Sequence, residues 1–366
     1  MISTSVRIQK LRNRVKEKHA DGMVITNPKN ILYLSGFRGI SPNERESCML
    51  ITQKDCFLFI PAMYELQAQG LDSITLIVDH ERHGLLSSFQ KYIKEQQIIL
   101  IEGNNVTLTE FEKMQQGCKA KLIPEKYLIE SLRKEKDEQE IMSIQKACEI
   151  TDMAFQKTVE FLQQTHYESL TENDVAEFLR TTGRNLGADG FGFEPIVASG
   201  SGSAEPHYFT SKKKLQKNAP LLLDFGFSFH GYTADLSRTF FLGQATEEHK
   251  NIYALVKECQ QLCMDSWEYG MSGKDLHMIS LNFFQKAGVE KQYLHSLGHG
   301  VGLDVHEQPG IGLHSEQPLL EHMVFTIEPG LYFANNFGVR IEDVVLVKDK
   351  KLVVLSNKSE KHFIQI

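Results

Sequence analysis

The stretch LLLDFGFSF, residues 221–229, constrains the fold of this chain more than any other feature. An apolar run of this length predicts a buried β-strand, yet it contains the carboxylate of Asp224. Burying an isolated carboxylate is costly, and such a group normally takes up a proton instead. The strand is therefore expected to place Asp224 beside a cation, a shared proton or a basic partner.

A second strand-like run, HGYTADLSRTFFL, follows directly and predicts a β-hairpin with its turn at residues 230–231. With those two residues as the loop, Asp224 lies opposite Ser237, and Asp235 lies diagonally across on the same face. The backbones of the two aspartates are then about 7–8 Å apart. A loop with an even number of residues preserves this arrangement, whereas an odd number places the carboxylates on opposite faces.

Two carboxylates on one buried face cannot both remain ionised without a positive charge nearby. They therefore share a proton or hold a metal ion. The alternative is that Asp224 is a strand-end residue paired with Arg238. The hairpin taken alone does not decide between these interpretations.

The C-terminal third adds ionisable residues inside apolar, strand-like segments, a setting that packing alone does not explain. The segment LGHGVGLDVHE contains two histidines, and FTIEPGLYF and VRIEDVVLV each contain an embedded glutamate. The turn-forming stretch ANNFG separates the two glutamates, so a second hairpin is expected to bring them together. The four residues are His299, His306, Glu328 and Glu342.

The two aspartates and the two glutamates together would balance the charge of two divalent ions. Oxygen ligands with one imidazole suit Mn²⁺, Co²⁺ or Zn²⁺ and do not suit thiolate-seeking metals. Two such ions about 3.5–4 Å apart bridge a water molecule, lower its pKa and hold it as hydroxide. The pattern thus predicts hydrolytic chemistry at a dinuclear metal centre.

The chain has 366 residues, which predicts two domains. The first 125 residues alternate helical and strand patterns, as expected for an α/β layer domain. A connector is expected at 126–136, and a long helix at 137–162 opens the second domain. The predicted helices of the first domain are 6–19 and 85–97, and its predicted strands are 23–25, 31–34, 48–60, 74–78 and 98–101.

Two segments of the second domain, LTENDVAEFLRTTG and MSGKDLHMISLNFF, are loosely similar to each other. Each begins with a helix-capping pattern and precedes a Gly-rich stretch and hairpins with acidic residues. This similarity indicates an internal duplication of a helix-plus-hairpin unit.

Composition restricts the class of partner. The net charge of −7 argues against nucleic acid, and no apolar run approaches the roughly 18–20 residues of a membrane span. The first residues resemble a basic amphipathic helix and not a signal peptide, so the expected location is the cytoplasm. The six cysteines form no CxxC; Cys259 and Cys263 have a spacing that permits a metal pair, but buried free thiols are the favoured interpretation.

With these residues in view, the chain resembles the metallopeptidases of the pita-bread fold, and within them the Xaa-Pro aminopeptidases and Xaa-Pro dipeptidases (prolidases). The resemblance covers most of the chain and implies a creatinase-like N-terminal domain at 1–125. It also implies an α+β pita-bread catalytic domain at 137–366 with an internal pseudo-two-fold duplication. The motifs that carry it are DGMVITNPKNILYLSGF, FEPIVASGSGSAEPHY, LLLDFG, GYTADLSRTF, HGVGLDVHE, TIEPGLY and VRIED.

The resemblance implies a role for each matching residue. The metal ligands would be Asp224, Asp235, His299, Glu328 and Glu342. Asp235 and Glu342 would bridge two ions, and Glu328 would also carry the proton of the bridging water to the leaving prolyl nitrogen. The most expected metal is Mn²⁺, with Co²⁺ and Zn²⁺ as alternatives.

The same resemblance assigns residues around the ligands. His207 and His306 would line the substrate carbonyl and stabilise the tetrahedral intermediate, and Arg340 would support the site. Tyr232, on the metal hairpin, is expected to lie outside the ligand set. Ser237 stands where the family usually has threonine, a change that keeps the hydroxyl and is expected to have little effect.

The segment HEQPGIG bears on substrate length. Some prolidases carry an arginine at the position of Gly310, where it binds the free carboxylate of the substrate, so the glycine favours an aminopeptidase acting on longer peptides with proline second. Xaa-Pro dipeptidase is the alternative, and a lysine cluster at 211–217 could hold a carboxylate but more often forms a solvated loop. An inactive protein-binding module is the remote alternative. Relatives commonly form homodimers, and the same is expected here.

Overall fold

The computed structural model describes residues 4–39, 46–71, 73–81, 88–356 and 361–366. The chain divides into two compact units, Met1–Arg133 and Lys134–Ile366. In the described ranges, no helix combines the length and apolar character needed to cross a membrane.

The first unit contains a six-stranded mixed sheet with the strand order β4-β3-β2-β1-β5-β6. Its strands are β1 (Gly22–Ile25), β2 (Cys48–Thr52), β3 (Cys56–Pro61), β4 (Thr75–Asp79), β5 (Ile98–Glu102) and β6 (Lys121–Glu125). Its helices are α1 (Thr4–Glu17), α2 (Pro28–Ser35), α3 (Leu108–Gln115) and α4 (Leu128–Arg133), with 3₁₀ turns at Ala62–Tyr64 and Phe89–Tyr92. The predicted α/β layer is therefore present, and α4 lies within the segment expected to be a connector.

Three local predictions in this unit differ from the structure. Residues 31–34 form part of α2 and not a strand, because the Asn27 side chain caps the helix and Pro28 occupies its first turn. The strand predicted at 48–60 is two strands. They are separated by a turn in which the backbone N–H of Thr52 donates a hydrogen bond to the carbonyl of Asp55.

The helix predicted at 85–97 is the third difference: Ser88 is helical, but the helical conformation ends earlier than predicted. Residues 85–87 lie outside the described ranges, and from Phe89 the chain makes one 3₁₀ turn that ends in an extended Ile93. The left-handed Gln96, with φ of 69°, then precedes β5, so the helical pattern is not continued.

The second unit contains two successive groups of helices and strands. Its helices are α5 (Glu138–Gln164), α6 (Glu172–Asn185), α7 (Glu247–Asp265) and α8 (Gly273–Lys286), with 3₁₀ turns at Tyr167–Ser169, Gly200–Ala204 and Glu290–Gln292. Its strands are β7 (Gly190–Phe191), β8 (Ile196–Ser199), β9 (Ala219–Phe225), β10 (Phe227–Phe229), β11 (Tyr232–Thr233), β12 (Leu236–Leu242), β13 (Gly298–Gly300), β14 (Glu307–Ile311), β15 (Val324–Ile327), β16 (Gly330–Phe333), β17 (Phe337–Arg340), β18 (Asp343–Lys348) and β19 (Lys351–Val354).

Each group packs a pair of helices against its own strands. The helices α5 and α6 share a core with β8, β9 and β12, and α7 and α8 share a core with β15 to β18. The predicted capping patterns of α6 and α8 are both present as reciprocal capping boxes. This repeated order of a helix pair followed by antiparallel strands has the form expected for an internal duplication.

Candidate metal centre and active site

The hairpin around Asp224 has the register that the sequence predicts. In the pairing of β9 with β12, Asp224 lies opposite Ser237, and in that of β10 with β11, Phe229 lies opposite Tyr232. The two residues between them, 230–231, have φ values of 53° and 80°, as a tight two-residue turn requires. The loop therefore has even length, and the carboxylates of Asp224 and Asp235 converge on one side.

A second hairpin brings the two glutamates together. Gly330 lies opposite Arg340 in the pairing of β16 with β17, and Ile327 lies opposite Asp343 in the pairing of β15 with β18. Glu328 directly follows β15, and Glu342 directly precedes β18. The two glutamates therefore lie next to each other at the same end of this strand pair. The backbone N–H of Glu342 also donates to the carbonyl of Ser237 at 3.1 Å, which joins this hairpin to the first.

The strand β13 adds His299 to these carboxylates. Gly298, directly before it, lies so close to β15 that a Cβ there would approach the carbonyl oxygen of Thr326 to 2.1 Å. The missing side chain therefore lets the histidine backbone approach the neighbouring strand. Potential ligand atoms lie within 4.8 Å of one another in three sets: Asp224, Asp235 and Glu342; His299, Glu328 and Glu342; and Asp235, His299 and His306.

Three carboxylates of this cluster each have an oxygen atom without a hydrogen-bond partner in the described part of the chain. Across the described residues, Asp224 Oδ1, Asp235 Oδ1 and Glu342 Oε1 are buried and have no hydrogen-bond partner. Burial raises the pKa of all three groups, and mutual repulsion raises those of Asp235 and Glu342 further. Buried, unpartnered carboxylate oxygens that face one another fit divalent cations, so the residues present match the predicted metal centre.

Glu328 and His299 form an ion pair at the edge of the cluster. His299 Nε2 lies 3.1 Å from Glu328 Oε1 and 3.6 Å from Asp235 Oδ2. Burial opposes ionisation of Glu328, but the imidazolium outweighs this effect and holds the pKa of Glu328 at about 2. The same contact raises the pKa of His299 against the effect of its burial.

Arg340 supports the cluster through hydrogen bonds on three sides. Its Nη2 donates to Asp224 Oδ2 at 2.6 Å, its Nε donates to Ser237 Oγ at 2.7 Å, and its Nη1 donates to the Tyr332 hydroxyl at 2.5 Å. Ser237 Oγ in turn donates to Glu342 Oε2 at 2.7 Å. These connected hydrogen bonds fix the orientation of Asp224 and Glu342.

The alternative pairing of Asp224 with Arg238 is not present. The Arg238 guanidinium lies on the other side of β12 and donates to Asp343 Oδ1 at 2.8 Å and to the carbonyl oxygen of Glu342. Because neighbouring residues of a strand face opposite sides, Arg238 cannot reach the face that carries Asp224. Tyr232 also faces away from the cluster, and its hydroxyl donates to Glu140 on α5 at 3.1 Å.

A cavity of about 380 Å³ opens directly over the cluster. His207 and His306 line it and are both exposed; the His306 ring packs edge-on against His299 with ring centroids 4.0 Å apart. No lysine of the segment 211–217 lines this cavity. The predicted ligands and both predicted substrate-facing histidines therefore surround one space. Its apolar wall is formed by Phe193, Ile196, Pro206 and Val305.

The sequence reasoning missed His295. Its Nε2 lies 2.8 Å from the Tyr332 hydroxyl, which links it to Arg340, and its ring lines the cavity. Burial lowers the pKa of His295, so the ring is neutral at neutral pH. The sequence shows only that His295 lies four residues before His299 in an apolar segment. That spacing does not predict whether its ring points toward the metal cluster.

Comparison with known proteins identifies the family. The model described as Metallopeptidase family M24 matches residues 142–349, and the model described as Creatinase/Prolidase N-terminal domain matches residues 7–134. The Xaa-Pro dipeptidase of Pyrococcus furiosus is 32% identical over 94% of this chain and 95% of its own length.

Two solved structures show the same architecture. The Xaa-Pro dipeptidase from Bacillus anthracis has a TM-score of 0.92 at 29% identity, with 100% of both chains covered. The X-Pro aminopeptidase from Thermotoga maritima MSB8 has a TM-score of 0.85 at 31% identity, with 97% of this chain and 100% of the other covered. These matches confirm the predicted fold class. The chain belongs to metallopeptidase family M24, carries a creatinase/prolidase N-terminal domain and is a metal-dependent peptide hydrolase.

Proposed function

We propose that this protein is an Xaa-Pro dipeptidase that uses two Mn²⁺ ions. The observation that carries the proposal is the set of buried, unpartnered carboxylate oxygens beneath one cavity. The substrate class comes from the relatives, because the Pyrococcus furiosus and Bacillus anthracis proteins are both Xaa-Pro dipeptidases. The sequence alone favours an Xaa-Pro aminopeptidase. The comparisons support the alternative, an Xaa-Pro dipeptidase, better than the aminopeptidase. We assign catalysis to the domain predicted at 137–366.

The proposed ligands are the two aspartates and the glutamate with unpartnered oxygens, together with His299 and Glu328. Asp235, Glu342 and His299 each belong to two of the sets of converging ligand atoms. Of these three, only the two carboxylates have a pair of oxygen atoms to share, so Asp235 and Glu342 would be the residues shared between two ions. When bound, the ions would lower the pKa of a water molecule and polarise the scissile carbonyl.

The side chains of the chain supply the remaining chemistry. Glu328 lies at the cavity surface and can accept a proton from water and transfer it to the prolyl nitrogen, which must be protonated to leave. His207 and His306 are placed to donate hydrogen bonds to the oxygen on which negative charge develops. Arg340 orients Asp224 through the 2.6 Å contact and favours its ionised form against the effect of burial, which raises the pKa of this carboxyl.

One observation favours the second candidate, an Xaa-Pro aminopeptidase. Gly310 lies opposite His299 in the pairing of β13 with β14, so a side chain there would point to the same face as that histidine. Glycine supplies no charge for a free carboxylate. Arg340, the guanidinium that lines the cavity, is engaged by Asp224 and Tyr332.

A peptide-length series with several metals tests both candidates. The purified protein is loaded separately with Mn²⁺, Co²⁺ or Zn²⁺ and assayed on Xaa-Pro, Xaa-Pro-Xaa and Xaa-Ala peptides. We expect the highest kcat/KM on the Xaa-Pro dipeptide with Mn²⁺ and no cleavage of Xaa-Ala. Preferential cleavage of the tripeptide establishes the aminopeptidase instead. Failure to cleave any peptide with any metal overturns the enzymatic proposal and leaves the protein-binding module.

Replacing Gly310 sharpens the same experiment. In Gly310→Arg the new side chain would start from the strand face that carries His299, and an ion pair with a dipeptide carboxylate should raise the preference for Xaa-Pro over Xaa-Pro-Xaa about tenfold. Gly310→Ala is the matched control, because its Cβ makes the same 2.8 Å approach to Ser315 Oγ without a charge. An equal preference in both variants would show that this position does not contact the substrate.

The expected homodimer and cytoplasmic location are also proposals. They rest on the resemblance and on the sequence pattern, and light scattering coupled to size-exclusion chromatography tests the dimer at assay concentrations.

A further inference from the structure

One buried carboxylate contacts both ends of the loop that carries His207. The loop leaves β8 at Ser199, passes His207 at the cavity and returns along the start of α6 by residue 213. Glu172, the first residue of α6, is fully buried, with 0% of its surface exposed. It lies between the outgoing and the returning part of this loop.

Glu172 accepts hydrogen bonds from both parts. Its Oε1 accepts from the backbone N–H of Ser199 at 3.0 Å. Its Oε2 accepts from the Tyr208 hydroxyl at 3.0 Å, from Ser211 Oγ at 2.7 Å and from the Ser211 backbone N–H at 3.2 Å. Since a buried donor that loses its acceptor costs about 1–3 kcal/mol, this carboxylate strongly favours one conformation of the loop.

The two residues on either side of His207, Pro206 and Tyr208, are held in place by contacts with the rest of the unit. Tyr208 follows it directly, and its ring lies against Gly202 so closely that a Cβ there would approach ring atom Cε2 to 2.9 Å. On the other side, the carbonyl oxygen of Pro206 lies 3.5 Å from Arg340 Nη1. The histidine is thus fixed between two anchored neighbours although its own side chain is exposed.

The carboxylate of Glu172 is itself anchored. The backbone N–H of Glu172 donates to the carbonyl of Lys213 at 2.9 Å, and Thr171 caps α6 through the capping box with Asp174. Because α6 packs in the core of the unit, it provides a rigid base for the loop.

We infer that Glu172 is a positioning residue that holds His207 toward the substrate carbonyl. The inference rests on the proposed function, in which His207 stabilises the developing oxyanion. Misplacement of such a donor by about 1 Å is sufficient to lower the rate by one to two orders of magnitude. Glu172 itself is not among the residues that line the cavity.

The first test replaces one acceptor oxygen. In Glu172→Gln an amide NH₂ faces the N–H of Ser211, so at least one hydrogen bond is lost and the loop shifts. We expect kcat/KM on Xaa-Pro to fall about tenfold through kcat, with KM nearly unchanged. Glu177→Gln is the matched control: it removes an exposed carboxylate further along α6, where Glu177 pairs with Arg180 of the same helix, and it should stay within twofold of wild type.

A double-mutant cycle separates positioning from general stability. If Glu172 acts through His207, the tenfold effect of Glu172→Gln should shrink below twofold in a His207→Ala background. An equal effect in both backgrounds overturns the inference, because the glutamate would then act by another route. If His207→Ala retains full activity, the proposed role of His207 fails, and with it the positioning claim.

Limited proteolysis measures the loop without any reference to activity. Lys212 and Lys214 are exposed at its returning end, so trypsin cleavage there, located by mass spectrometry, reports local opening. We expect Glu172→Gln to speed this cleavage at least fivefold with the midpoint of global unfolding nearly unchanged, and Glu177→Gln to leave it as in wild type. Slow cleavage in all three proteins contradicts the inference even if the wild type cleaves no peptide.

Discussion

At the scale of single residues, Ser237 connects the two hairpins of the candidate metal centre. Its hydroxyl accepts from Arg340 Nε and donates to Glu342 Oε2, both at 2.7 Å, and the arginine continues to Asp224. Partners of this kind orient metal ligands and adjust their basicity. The structure therefore gives a reason why serine can stand in for the family's usual threonine, since the contacts need only the hydroxyl.

We predict that Ser237→Ala weakens Mn²⁺ binding by about 10–100-fold, because Glu342 and Arg340 lose their shared partner. Ser237→Thr is the control that keeps the hydroxyl, and its affinity should stay within threefold of wild type. Isothermal titration of metal-free protein measures both affinities. Unchanged affinity in the alanine variant would show that the hydroxyl does not orient the ligand.

The residues of the site differ in how visible they are in the sequence. Asp224 is predictable because a lone carboxylate inside an apolar run stands out from its immediate neighbours. His295 is not, since its significance comes from Tyr332, 37 residues away. Glu172 is still less visible, because it is part of an ordinary capping pattern and its partners lie 27 to 39 residues further on.

At the scale of elements, hairpins are predicted well and short isolated segments are not. The register of the Asp224 hairpin follows from side-chain alternation and from a two-residue turn, both of which are local properties. Residues 31–34 are apolar and fit a strand or a buried helix, and only the cap at Asn27 decides for the helix. The 3₁₀ turn at Phe89–Tyr92 has no local signal that distinguishes it from a full helix.

Two glycines of the same hairpin should behave differently when they are replaced by alanine. A Cβ at Gly226 would lie 1.7 Å from the carbonyl oxygen of Ala234, directly before Asp235, so the strands must separate there. We predict that Gly226→Ala lowers stability by about 1–3 kcal/mol and Mn²⁺ affinity at least tenfold. Gly231→Ala, at the turn with φ of 80°, should cost about 1 kcal/mol and leave the affinity unchanged.

Urea unfolding of the metal-free variants gives the stability changes, and titration with Mn²⁺ gives the affinities. Circular dichroism confirms that each variant is folded before titration. Equal loss of metal affinity in Gly226→Ala and Gly231→Ala would contradict the prediction, because it would mean that general loosening of the hairpin, and not displacement of Asp235, weakens the site.

At the scale of the whole molecule, the sequence predicts the family and the fold class of the domains better than it predicts the length of the substrate. The five proposed ligands recur in the order of the family motifs, so their joint match is specific. In the proposed function, substrate length depends on the strand face that Gly310 shares with His299 and on how Arg340 is engaged. These are properties of the assembled cavity, and for this reason the peptide-length preference needs the comparisons and the experiment.

Metal binding is expected to stabilise one of the two compact units and not the other. All five proposed ligands belong to the compact unit Lys134–Ile366, and none belongs to Met1–Arg133. Without metal, their buried carboxylates repel one another, so Mn²⁺ at 100 times its Kd should stabilise the ligand-bearing strands by about 2.7 kcal/mol. Hydrogen exchange followed by mass spectrometry should then slow about 100-fold in β9, β12, β15 and β18, with β1 and β5 unchanged. Asp235→Asn serves as the control and should show no slowing at the same Mn²⁺ concentration. Slowing of equal size in both units would contradict the prediction, since stabilisation would then not originate at this cluster.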